Sequence, residues 1–572
     1  MSNNILILDA ANVSQQVKTT ETAGVHVPHH IIEGTITTSG LTDAELRASA
    51  VPVSIYGQND TGETVPAAMT AEGHLEVAIH APRNPFGSVH VESLRPVFQC
   101  DAVYGINTQN VIATTGRAIA GSGSGSATAA SNLFTCSTGT TSYSFGTIQS
   151  RKRLRYRAGQ GIVGRFAALW SAPAANSIVV AGLGHAESGF YFGYNGTSFG
   201  ILHATGGVRE VQTLTVTTAS TATNNYNVTL PNGTVVNVTA TNNSNTARTA
   251  YEISQGTYPG WTAVQRGSTV VFLASSAGPV TGTFALAQSG AGVPAAGSCV
   301  ETTAGVSTTD SWVAQASWNG DKLDGTGASG VTLDPTKGNV FQIGVQYLGF
   351  GAIEFKVEVC DDEGNNADYV TVHTLRFPNA RTSVHLSNPS LPFTMAAYSA
   401  GSTTNVSVSC GSFAGFIEGD KVLTGPRMNY SRTSTAVSTG AYYAFMTIRN
   451  AVVYSNRACQ AVINLLSFGA AHDDATPVTF YLLRNATLVG NPSFSQWSTS
   501  SATYVDTAAT TATVTDNAQI IFAITVGQSG SIHIPFSDDV TLQPGESITI
   551  AATTVTGTAT YASISLNTRE DQ

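Results

Sequence analysis

Residues 353–359 read IEFKVEV, with apolar and charged side chains in alternation. A period of two places Ile353, Phe355, Val357 and Val359 on one face of an extended chain, with Glu354, Lys356 and Glu358 on the other. That is the pattern of a half-buried β-strand. The same period recurs outward in both directions, in TLTVT (213–217), TVVNVT (234–239), NVSVS (405–409) and ESITI (546–550). Threonine and valine dominate these runs, and both suit a pleated surface. Turn formers stand between them, as in Pro231-Asn232-Gly233, Gly338-Asn339 and Pro544-Gly545. One stretch predicts a helix, Leu41–Ala50 (LTDAELRASA), with Thr42 or Asp43 as its cap and Pro52 to end it. The fold class is therefore all-β, as several β-sandwich or jelly-roll domains in series.

A chain of 572 residues exceeds a single core, and texture marks where it divides. Residues 1–110 read as a mixed N-terminal region with short strands and several prolines. Residues 111–132 read as a flexible linker around the GSGSGS run Gly121–Ser126. Residues 133–210 and 307–393 share an aromatic, glycine-rich texture and read as one central sandwich. The Thr/Asn/Val-rich stretch 211–306 between them reads as a small β domain inserted into that sandwich, with three β domains in series as the alternative. Residues 400–572 read as a C-terminal β-sandwich.

Only 11% of residues are charged, well below the ~25% of ordinary soluble proteins, which fits a part of an assembly better than a free monomer. The net charge of −10 leaves no basic surplus for phosphates, so nucleic acid is not an expected partner. No run approaches a membrane span, and the apolar run Ile5–Leu8 lacks the basic flank of a signal peptide. The expectation is synthesis in a cytoplasm. The six dispersed cysteines form no C-x-x-C pair and read as small buried hydrophobes.

Motifs for chemistry are weak. Gly325–Gly330 matches G-x-G-x-x-G but runs into a strand-like VTLDP rather than a helix. Gly196–Gly200 matches G-x-S-x-G but reads as a strand-turn-strand loop. Asp361-Asp362-Glu363, His472-Asp473-Asp474 and Asp538-Asp539 read as solvated loops, and His26, His29 and His30 as a polar edge. No catalytic residue, cofactor or metal is expected. Two features stand out. Alternation in RKRLRYR puts Arg151, Arg153, Arg155 and Arg157 on one strand face, where four like charges require carboxylates from another domain or subunit, or an anionic ligand. The cluster Phe190, Tyr191, Phe192, Tyr194 and Phe199 reads as sandwich core, with Tyr191 and Tyr194 as a candidate sugar platform.

Several stretches carry a resemblance: GLTDAELRASAVPVS (40–54), the run from Glu72 to Gly105, RKRLRYRAGQGIVGRFAALW (151–170), GHAESGFYFGYNG (184–196) and QYLGFGAI (346–353). Together they are similar to virion structural proteins of tailed bacteriophages and environmental viruses. The resemblance covers about residues 40–400. It implies a non-enzymatic component of the tail, baseplate, fibre or capsid exterior, located in the virion, with residues 1–110 as the docking region that attaches to the particle. It also implies contact with other virion proteins and assembly as a homo-oligomer, trimeric or hexameric. The alternative is a receptor- or glycan-binding virion protein with a lectin-like sandwich. A depolymerase would require a solenoid repeat, and none is visible.

Overall fold

The structure is a computed structural model. It describes residues 94–571 except 120, 223, 242, 361–366, 387, 420–424, 435–436, 474, 538–539 and 560, together with six short strands earlier in the chain. The predicted helix at 41–50, His29, His30, the 40–54 segment and the acidic groups at 361–363 and 538–539 lie outside the described residues. Residues Met1–His80 form one compact unit and Ala81–Gln572 a second. In the first, three antiparallel pairs are described: Ile5–Leu8 with Ser14–Val17, Thr19–Thr22 with Val25–Pro28, and Tyr56–Gln58 with Thr64–Pro66.

The second unit is built from antiparallel sheets, as the alternating runs predict. Its first body is a sandwich of two sheets. One carries seven strands in the order Thr309–Ala314, Ser198–Thr205, Ser188–Asn195, Ser177–His185, Phe393–Ser399, Ser144–Ser150 and Val111–Arg117. The facing sheet is centred on Ile162–Trp170, which pairs with Asn339–Val345 on one side and with Ser407–Cys410 and Ser412–Glu418 on the other. IEFKVEV lies within Ile353–Cys360 of this sheet, with Ile353, Phe355 and Val357 fully buried and Glu354, Lys356 and Glu358 turned outward. Between the sheets, Phe166, Phe192, Phe341 and Phe355 pack with Trp170, ring centroids 4.8–5.6 Å apart across the Phe166–Phe341, Phe192–Phe341, Trp170–Phe341 and Phe192–Phe355 pairs. Strands Leu94–Asp101, Val111–Arg117, Ser126–Ala130, Ser407–Cys410 and Ser412–Glu418 all contribute to these sheets. The sandwich thus extends into segments read from sequence as docking region, linker and C-terminal domain. The GSGSGS run is the tight connection between two of its strands.

The chain leaves this sandwich after Thr205 and returns at Thr309, and those two residues pair directly. Between them, Arg209–Thr218, Trp261–Arg266, Thr269–Ala277 and Ala296–Thr303 form a four-stranded sheet, and Tyr226–Thr229, Val235–Val238 and Ala285–Gln288 a three-stranded one. These enclose their own core, where Phe272 stacks on Phe284 at 3.8 Å. One element here was not predicted, the helix Thr246–Ser254. The side chain of Asn245 accepts hydrogen bonds from the Ala247 and Arg248 amides, and Arg248 pairs with Glu252 one turn on at 2.8 Å.

The third body has eight principal strands: Arg427–Ser434, Tyr442–Asn450, Val462–His472, Val478–Arg484, Ile520–Val526, Ser531–Pro535, Ser547–Thr554 and Ala562–Asp571. One sheet takes them in the order first, eighth, third, sixth; the other in the order second, seventh, fourth, fifth. That interleaving is the jelly-roll order of two Greek keys. Its core is aliphatic, around Ile448, Ile463, Leu482, Ile550 and Leu566, with Phe445, Phe468 and Phe480.

Candidate functional site at the arginine-lined junction

The three bodies meet along a seam that the basic strip enters. Only Leu154–Arg155 of the strip is strand, paired with Ser390–Leu391, and Leu154 is fully buried. The arginines reach the jelly roll. Arg157 meets the Asp571 carboxylate at 2.9 Å, and Arg155 approaches the same oxygen at 3.3 Å. Arg155 also donates to the backbone carbonyls of Asp571, at 2.5 Å, and Gln460, at 3.0 Å. Arg151 donates to the Thr108 carbonyl and stands 3.5 Å from Glu546. Charge-assisted bonds of this kind, partly shielded from water, fix orientation as much as they stabilise.

Arg153 turns elsewhere. Its Nε and Nη1 are buried without a hydrogen-bond partner, in a pocket it shares with Arg209, Glu187 and Cys459. Glu187 accepts from the Arg209 amide at 3.1 Å and lies 3.8 Å from that residue's Nε. Desolvation, reinforced by the Arg209 charge, brings the Arg153 guanidinium down to about 10. Burial beside these two cations likewise lowers His185 to about 3. The four-arginine face is thus divided between two environments.

A second part of the seam joins the insert to the jelly roll. Val211, Val264, Val271 and Leu273 pack against Val452, Val453 and Ala458. Beside them Arg449 donates to the Gln265 carbonyl and lies 3.8 Å from the ring centre of Phe494. The Gln265 amide donates to the carbonyls of Ala247 (3.0 Å), Gly267 (2.7 Å) and Pro492 (2.8 Å). Desolvation brings Arg449 down to about 9. Reading the sequence missed Arg209, Glu187, Gln265 and Arg449. No local signal marked them, because each stands beside another polar residue or glycine, as Gln265 beside Arg266, Arg449 beside Asn450 and Arg209 beside Glu210.

The proposed sugar platform is corrected. Tyr191 retains 6% exposure and Tyr194 8%, so neither offers a ring face to a ligand. Tyr191 lies flat along its own sheet over Gly184 and Gly189, where an added Cβ would come within 2.2 and 2.5 Å of its hydroxyl. Tyr194 packs edge-on to Phe199 at 5.1 Å.

Neither glycine motif leads from a strand into a helix. Ser198 opens a strand directly after the turn at Gly196, which has φ +59°, and Gly325–Gly330 is a loop tied by Asp321 to the amides of Leu323 and Ser329. Cys136, Cys410 and Cys459 are buried, Cys100 and Cys299 half-buried, and Cys360 exposed. Among the described residues no group of three or more His, Cys, Asp or Glu side chains is arranged to hold a metal, and no helix is long and apolar enough to cross a membrane.

A cleft opens where Arg151 and Lys152 face the jelly roll. It has a volume of about 290 Å³, and its wall includes Gln109, Arg484, Gln543 and Glu546.

No protein-family model matches this chain, and no curated protein matches it. Among solved structures, the Faustovirus major capsid protein aligns over 83% of this chain and 90% of its own, at 8% identity and a TM-score of 0.10. A superposition of that quality describes no common chain path.

Proposed function

We propose that this protein is a non-enzymatic structural component of a virion, of the tail, baseplate or fibre type, acting through oligomeric assembly with other virion proteins. The observation that supports this reading most is the joining of three β bodies into one compact unit by buried arginine and valine contacts. A chain with so few charges gains a rigid shape this way, and rigid shape is what repeated contact in a particle needs. The jelly roll is consistent with it, being an architecture that capsid and lectin domains share, although fold alone does not fix function. The N-terminal unit would dock on the particle, with synthesis in the host cytoplasm. Light scattering on a sizing column tests the reading. A discrete trimer or hexamer supports it. A monomer that also fails to co-sediment with particles lacking this protein counts against it.

The second reading, a glycan-binding virion protein, no longer has its tyrosine platform. What favours it now is the cationic cleft.

A further inference from the structure

We infer that the cleft between the central sandwich and the jelly roll is a binding site for a small hydroxylated oxyanion, of the class of a sugar acid. Three cations line it, Arg151, Lys152 and Arg484, against one carboxylate, Glu546. That carboxylate is already engaged. Its Oε1 faces Arg151 at 3.5 Å and its Oε2 accepts the Gln543 amide at 2.8 Å. Lys152 is exposed at the mouth.

Arg484 donates through Nη2 to the Thr541 carbonyl at 3.2 Å, but its Nε is buried without an acceptor. Gln543 donates to the Thr541 hydroxyl at 3.4 Å, while its Oε1 is buried without a donor. Buried polar groups are nearly always satisfied, so these two atoms beside the cleft lack a partner, and a ligand that draws the Arg484 and Gln543 side chains towards the cleft would supply one to each. The donor and the surplus of positive charge take an oxyanion. The acceptor takes a hydroxyl. The volume suits a molecule the size of one sugar ring, at the small end of ligand sites. The same oxyanion chemistry could come from free phosphate, and the two sources are separable by experiment.

The site does not depend on the assembly reading, since both walls belong to one chain. Calorimetric titration of the full-length protein at fixed ionic strength, with glucuronate, inorganic phosphate and glucose in turn, tests it. Glucuronate is expected to bind and glucose not. Lys152→Glu, on an exposed side chain, should weaken glucuronate at least tenfold without moving the unfolding temperature. Arg484→Met should weaken it as well. Glucuronate binding more tightly than phosphate supports the sugar-acid assignment. Phosphate binding as tightly overturns the hydroxyl requirement. Absence of glucuronate binding, or binding unchanged in Lys152→Glu, overturns the site.

Discussion

Acidification should unfold this protein through three histidines of the central sandwich. His185, His203 and His385 are held neutral in the fold. Desolvation lowers them to about 3, 4 and 3 respectively, with the Arg153 and Arg209 charges adding to the effect at His185 and Arg381 at the other two. In the unfolded chain each would titrate near its ordinary value of about 6.5. The unfolded state therefore binds more protons below that pH, and stability falls as pH drops from about 6.5 towards 4. At pH 5 each histidine would lie about 1.5 pH units below its unfolded pKa and still be neutral in the fold, which costs about 2 kcal/mol per residue, or about 6 kcal/mol for three. That is comparable to the whole stability of many domains. Urea unfolding at pH 7 and pH 5, followed by tryptophan fluorescence, measures it, because Trp170 and Trp318 report from inside the same sandwich. His385→Phe supplies the control. The new ring can stack on Phe377, as His385 does at 4.1 Å, and it removes one titrating group. The loss between pH 7 and pH 5 should shrink by about 2 kcal/mol in the variant. An equal loss in wild type and variant would refute the assignment.

Three further outcomes follow from the seam and the insert. Arg153→Met should raise stability by about 1–2 kcal/mol, since it removes two buried unpartnered N–H groups and keeps the apolar stem, and a lowered urea midpoint would contradict this. Asp571→Asn should act in the opposite direction, by about 3 kcal/mol, because Arg155 and Arg157 share that carboxylate; added salt should reduce the difference between wild type and variant. Phe272→Ala should cost about 3–5 kcal/mol in the insert, whose core it shares with Phe284, and limited proteolysis should then cut first within residues 209–303.

The sequence by itself determined the class of this protein. A period of two is a local property, and at 353–359 it needs no distant partner to be read. The same holds for the scarcity of charge. The helix at 246–254 was overlooked because its cap, Asn245, sits in an Asn/Thr-rich stretch where many residues could cap and because it offers only Ala250 and Ile253 to the insert core, Tyr251 packing instead against the jelly roll. Other matters only the tertiary structure decided. The arginine strip announced its need for compensating charge, but its partners, Glu546 and Asp571, lie about four hundred residues away, and no local pattern encodes that distance. Tyr191 read as core with a sugar platform as the alternative, and the glycines at 184 and 189, over which its ring lies, decide for the core. The jelly-roll order arises from pairing Arg427–Ser434 with Ala562–Asp571, the first strand with the last. Strand pairing of that kind is set by which apolar faces close a common core, and that choice exists only once the chain has folded.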